Sequence, residues 1–310
     1  MQSAKSTKKR NRIQQSLGSR VFDVCNVIFF IILAVVMIIP FWNVLMISLT
    51  NQGEYYSRPL VLLPYGFNLT SYEFLFSAGT IPRAFLVTIT VTLSGTILST
   101  LFTSMLAYPL SKKRLAGRKG FTIYLLITMF FSGGLIPTYL LITQTLHLKN
   151  NLLALILPAS VNVWNFVIMR TFFSQIPDSM EESAKIDGAN DFVILFRIIY
   201  PLSIPMLATL ALFVGVNLWN AWFSAKLYIG DANLYPLQLV LRNMVKDANK
   251  PAELMIAYGQ MRDAAGNPIP FFEDGLKMAM VIITVVPMLL IYPFMQKYFE
   301  KGVMIGSVKG

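Results

Sequence analysis

The 310-residue chain is 55% hydrophobic and only 13% charged, with a mean hydropathy of +0.60. A soluble domain has roughly a quarter of its residues charged, so this composition excludes an ordinary soluble enzyme and points to a polytopic membrane protein. The formal net charge of +11 reflects topology and contact with anionic membrane lipid, with no nucleic-acid partner expected. The single Cys25 rules out an internal disulfide and is expected to be a small buried hydrophobe.

Six apolar runs follow in order, at about 22–49, 85–110, 121–143, 152–172, 201–224 and 276–296. Each is long enough to cross roughly 30 Å of hydrocarbon as a helix, and the alternating polarity of membrane strands is absent. An all-α, polytopic bundle of six transmembrane helices is therefore expected. Residues 1–21 form a basic tail, and the run behind it is too long for a signal peptide and closes on no small-residue cleavage site, so it reads as an uncleaved anchor. Of the 26 Lys and Arg residues, 17 lie in this tail, in the loop SKKRLAGRKG, in the 170–200 segment and after residue 296. Short basic segments stay inside, which places both termini in the cytoplasm of a multi-pass cell-membrane protein. The chain thus divides into a tail (1–21), a six-helix membrane domain (22–296) with an inner loop at 173–200 and an outer loop at 225–275, and a C-terminal tail (297–310).

The spans lack Asp, Glu, Lys, Arg and His except near their ends, as at Asp23 and Lys277, and the only histidine, His147, falls in a short outer loop. An ion-coupled carrier needs ionisable groups at membrane depth to bind and release the coupling ion. No G-x-x-x-x-G-K-[ST] phosphate cradle and no G-x-G-x-x-G occurs. The chain is therefore expected to be no enzyme and to hold no metal or cofactor, and any motor belongs to another subunit. In the third run Gly133, Gly134 and Pro137 mark a kink or a hinge.

Between runs four and five, "MEESAKIDGAND" concentrates acidic residues in an otherwise apolar stretch. Pro177, Ser179 and Glu182 read as a helix start, with Ser179 and Glu182 at capping-box spacing. Met180, Ser183, Ala184 and Asp187 then share a face of small side chains. Gly188 turns the chain without a Cβ penalty, and Asp191 reads as the cap of a second helix that ends before Pro201. Such a helix, turn and helix suits a groove on another protein; a solvated connecting loop is the competing reading.

Here the sequence resembles the permease subunits of importers driven by ATP-binding-cassette ATPases. That family carries Glu-Ala-Ala, three residues, Gly, nine residues, Ile, one residue, then Leu-Pro. This chain reads Glu182-Ser183-Ala184, then Gly188, Ile198 and Tyr200-Pro201 at the same spacing, with Ser183 and Tyr200 departing from the pattern. "FFSGGLIPTYLL", "ALILPASVNVWNFVIMRTFF", "NLWNAWF" and "GSVKG" are similar to the carbohydrate branch, in particular the smaller maltose-type permease and the aldouronate and oligosaccharide permeases. The resemblance implies the type I importer permease fold in a bacterial cell membrane. It also implies a second permease as heterodimer partner, two cytoplasmic ATPase subunits and an extracytoplasmic sugar-binding protein. Glu181, Glu182, Ser183, Ala184, Asp187, Gly188, Ala189, Ile198 and Pro201 then become the ATPase-coupling residues. In the maltose-type family the outer loop reaches the docked binding protein and the C-terminal tail enters the ATPase dimer, which assigns those roles to residues 225–275 and 297–310.

For the sugar pathway, Asn217, Asn220 and Ser224 follow i, i+3, i+7 on one face of run five, and Asn162, Trp164 and Asn165 lie near the middle of run four. Amides exchange hydrogen bonds with hydroxyls and aromatic rings stack on sugar faces, while Trp219 and Trp222 also suit an interfacial belt. Two other classes stay open, a secondary ion-coupled solute carrier and a noncatalytic membrane scaffold.

Overall fold

The computed structural model describes residues 16–57, 61–64, 66–77, 79–246, 266 and 271–307. Among the described residues every regular element is helical. Helix α1 (Leu17–Ser48) leads through two short helices, α2 (Gln52–Tyr55) and α3 (Thr70–Ser77), into the long α4 (Thr80–Ser111). Helices α5 (Arg118–Phe130) and α6 (Leu135–Leu140) follow, then α7 (Leu153–Ile156) and α8 (Val163–Phe173). The acidic segment forms α9 (Ser179–Ile186), followed by α10 (Asp191–Ile194), a π-helical stretch Leu195–Ile199 and α11 (Tyr200–Leu202). The chain closes with α12 (Ile204–Trp219), α13 (Trp222–Tyr228), α14 (Leu237–Lys246) and α15 (Glu273–Ser307).

Three helices are long and apolar enough to cross a membrane unbroken, within α1, α4 and α15, and three bent pairs raise the number of spans to as many as six. Runs four and five were expected as continuous helices and run three as a kinked one, and all three are interrupted. The third bends by 107° between Phe130 and Leu135. There Gly134 takes φ +86°, a conformation that costs glycine little, and Pro137 sits in the first turn of α6, where its missing N–H is not needed. The fourth bends by 44° between Ala159 and Val163, and the fifth by 85° at Ser203, just before Pro205 in the first turn of α12. The expected span to residue 224 also stops early: α12 ends at Trp219 and α13 starts anew at Trp222.

Helix α4 is the spine of the bundle, packed against α8, α12 and α14, while α15 packs against α1, α3, α12 and α14. Small residues let α4 and α12 approach closely, as association in lipid requires. A Cβ on Gly95 would collide with Leu218, and Gly215 lies against Thr92 and Thr96. Trp219 is not an interfacial residue. It is buried, its indole N–H donates to the Thr284 carbonyl at 3.2 Å, and its ring meets Phe85 edge to face. Cys25 is not buried either, because α1 touches the rest of the chain mainly through Leu45, Met46 and Ile47 at its far end. The residues expected as a tail from 297 continue α15 as helix to Ser307, and 308–310 lie outside the described residues. In the expected outer loop α14 is packed inward through Leu237, Leu239 and Met244. Residues 247–265 and 267–270, with most of "DAAGNPIP", lie outside the described residues.

Candidate functional site

Two helix breaks meet at a cavity of about 730 Å³. At the first, the Leu157–Ala159 turn gives way to α8, and extended Asn162 caps α8 by accepting a hydrogen bond from the Asn165 backbone N–H at 3.1 Å. At the second, the chain turns between α12 and α13. Irregular backbone at membrane depth is tolerated where it lines a polar space, and these breaks supply one. Five of the expected pathway residues line it: Asn162, Trp164, Asn165, Asn217 and Ser224, joined by Tyr228. None of the lining residues carries a formal charge. The cavity offers amides, a hydroxyl, an indole and a phenol, which is a set that exchanges hydrogen bonds and stacks but does not bind ions strongly.

Asn220 is not brought to the cavity. The i, i+3, i+7 expectation assumed a helix running through residue 224, and the chain leaves that helix at Asn220 itself. Its amide instead donates to the Val216 carbonyl at 2.8 Å and accepts from Gln238 at 2.8 Å. Trp222 likewise has a local role, with the Arg242 guanidinium 3.5 Å from its ring centroid. Tyr228 was not anticipated, since nothing in "KLYIG" marks it. Burial raises its phenol pKa above the ordinary value of 10.0, so it stays a neutral donor at physiological pH, and its ring stacks on Tyr139 at an interplanar angle of 13°.

The second region is the acidic segment. Helix α9 is capped differently from expectation. Asp178, not Ser179, occupies the N-cap, and its backbone is already helical, which leaves no side-chain cap and no capping box. The C-terminus forms a Schellman motif: the Ala189 N–H donates to the Ala184 carbonyl at 2.9 Å and the Gly188 N–H to the Lys185 carbonyl at 3.0 Å. Gly188 holds φ +83° with no neighbour within 4 Å of a built Cβ, so the requirement there is on the backbone alone. Asn190, not Asp191, caps α10, accepting from the Val193 N–H at 2.9 Å. One residue of displacement at both caps places Asp191 where its carboxylate is free to meet cations.

The supposed small-residue face is split. Ala184 is buried with Glu181 against the bundle, whereas Met180, Glu182, Ser183, Asp187 and Gly188 are exposed, as is Ile186 at 87%. Ala189 and Ile198 are half-buried, and Pro201 is exposed. The Tyr200 hydroxyl, at a position where leucine is the pattern, bonds Ser104 on α4. The basic loop after α4 folds onto this segment. Lys112, itself buried, pairs with Glu181 and lies 3.5 Å from Asp178; Arg114 lies 3.6 Å from Glu181 and 3.4 Å from Asp191. Lys185 completes the set, 3.1 Å from Asp191. In the sequence these basic residues point only to the orientation of the chain.

Over residues 3–305 the chain matches the family described as binding-protein-dependent transport system inner membrane component. It is 40% identical over 298 residues to the polygalacturonan/rhamnogalacturonan transport system permease protein YtcP of Bacillus subtilis (strain 168), covering 95% of this chain and 100% of that protein. Protein LplC of the same organism is 41% identical over 293 residues, 94% of this chain and 96% of that protein. In the crystal structure of a bacterial ABC transporter involved in the import of the acidic polysaccharide alginate, one chain superposes with a TM-score of 0.83 at 27% identity. That match covers 93% of this chain and 100% of the other.

Proposed function

The chain belongs to the family of binding-protein-dependent transport system inner membrane components and is a permease subunit of a sugar importer, and we propose that it forms half of an oligosaccharide pathway worked by a separate ATPase. The observation that carries the proposal is the pairing, in one chain, of an uncharged polar cavity at two helix breaks with an exposed, rigidly capped helix at the basic end of the bundle. The cavity supplies hydrogen bonds to a hydroxylated solute. Helix α9 supplies a lever on which a soluble motor can push. Glu182, Ser183, Asp187 and Gly188 lie on its outer surface for that contact, while Glu181 and Ala184 hold its inner face.

In this reading α9 and both termini are cytoplasmic, in keeping with the Lys and Arg bias. A second permease completes the pathway, two ATPase subunits meet the two coupling helices, and an extracytoplasmic sugar-binding protein delivers the solute. Residues 225–275 face that protein, and α15 extends the C-terminal end toward the ATPases. The oligosaccharide class is supported by the polymers named for the relatives. The test is uptake of a panel of labelled plant-polysaccharide oligomers into vesicles holding the chain with its copurified partners. Uptake should require ATP and persist when ionophores collapse the ion gradients. Uptake that ignores ATP and stops with the ionophores would make the chain a secondary carrier, and a complex that neither transports nor hydrolyses ATP would make it a scaffold.

A further inference from the structure

The Lys112–Glu181 pair differs in kind from its neighbours. The Arg114–Asp191 pair is exposed at both ends, with side-chain exposures of 52% and 67%, and exposed pairs contribute little. Lys112 and Glu181 are 8% and 2% exposed. Without the other, each charge would be a buried ion left with only a longer contact to an exposed residue, Arg114 3.6 Å from Glu181 and Asp178 3.5 Å from Lys112, which is unfavourable. The pair also joins elements far apart in sequence, since Lys112 is the residue at which α4 ends and Glu181 lies in the first turn of α9. One turn further along the same face, Ala184 enters the core cluster that holds Ala107 of α4 and Phe173 of α8. The inner face of α9 therefore rests on the end of α4, and α4 packs on α8 and α12, whose ends border the cavity.

We propose that the Lys112–Glu181 pair is a clamp that makes α9 and α4 one rigid lever. Lys112 is then a positioning residue for coupling. Movement of α9 enters the bundle through the end of α4 as well as along the chain through the Gly188 turn and the π-helical stretch. The proposal rests on the reading that the ATPase acts on the outer face of α9. That face does not include Lys112, so opening the clamp uncouples movement without removing the motor.

The test uses the full chain with its copurified partners, with Cys25→Ser and spin labels at Ser179 on α9 and Leu86 on α4, both of which are exposed. In the otherwise unchanged chain the label separation stays the same between the nucleotide-free and the ATP–vanadate-trapped complex. With Lys112→Met the ATPase copurifies in the same amount, and the share of chains whose separation changes on trapping rises about tenfold, the size of an ordinary coupling between sites. The reversed pair, Lys112→Glu with Glu181→Lys, returns the separation to its fixed value. Because Lys112→Met leaves the buried carboxylate with only the exposed Arg114 at 3.6 Å, Lys112→Met with Glu181→Gln provides an uncharged version that keeps the fold and still moves on trapping. A fixed separation in that double variant, or loss of the ATPase from Lys112→Met, overturns the clamp. If the unmutated chain retains no ATPase, the docking reading fails instead. The clamp is then decided by melting temperature: single reversals lower it and the reversed pair recovers it, whereas additive losses overturn the clamp.

Discussion

Gly188→Val is expected to leave a membrane-inserted protein whose ATP-driven uptake is roughly five- to thirtyfold lower, corresponding to about 1–2 kcal/mol of left-handed strain at a β-branched residue. The cause is confined to the backbone. No atom lies within 4 Å of a Cβ built at this position, while φ is +83°. Gly188→Asn is therefore the informative partner, because asparagine enters the left-handed region more readily than other residues with a side chain. It should retain most of the uptake. Equal losses in the two variants would mean that bulk, not turn geometry, matters at this surface. Reversing the charge of the exposed Glu182 to lysine is expected to reduce ATPase copurification and uptake together, since that side chain forms no ion pair among the described residues that would keep it in place.

The cavity gives the second large effect. Asn217→Leu removes an amide from the lining with little change of volume, and a hydrogen bond lost from a buried polar contact costs about 1–3 kcal/mol. Uptake at low oligosaccharide concentration should fall by roughly five- to 150-fold, with the amount of bound ATPase unchanged. Asn220→Leu, three residues along, should lose little, because that amide is turned to Val216 and Gln238 and not to the cavity. Equal transport defects in both variants would remove the reason for assigning the pathway to this cavity.

The contrast between these two asparagines marks where the sequence stopped being legible. Long apolar runs without charge have few other fates than membrane helices, so the spans were readable one by one. The third break was readable too, since Gly133, Gly134 and Pro137 carry the backbone freedom and the missing donor that a sharp bend uses. The break at Asn220 has no such signal in "NLWNAWF", and a helix carried through it put Asn220 on the wrong face. Capping failed by a single residue at the start of both helices, because Ser, Asp and Asn are all common at N-caps and Asp178 stands beside Ser179 as Asn190 does beside Asp191. The Lys112–Glu181 pair was unreadable for another reason. Opposite charges in the 111–120 loop and the 178–191 segment were visible and both lay on the inner side, but only the packing of α4 beside α8 brings the two into contact.

Coupling of this kind requires the outer face of α9 to meet a motor, and contact between the two is directly measurable. A photo-crosslinking residue at Ile186, 87% exposed on that face, should give an adduct with the ATPase subunit in native membranes. The same residue at Phe223, exposed on α13 beside the cavity-lining Ser224, should give none. A chain that copurifies with its ATPase and supports uptake, yet yields no ATPase adduct from Ile186, would contradict the coupling role assigned to this helix.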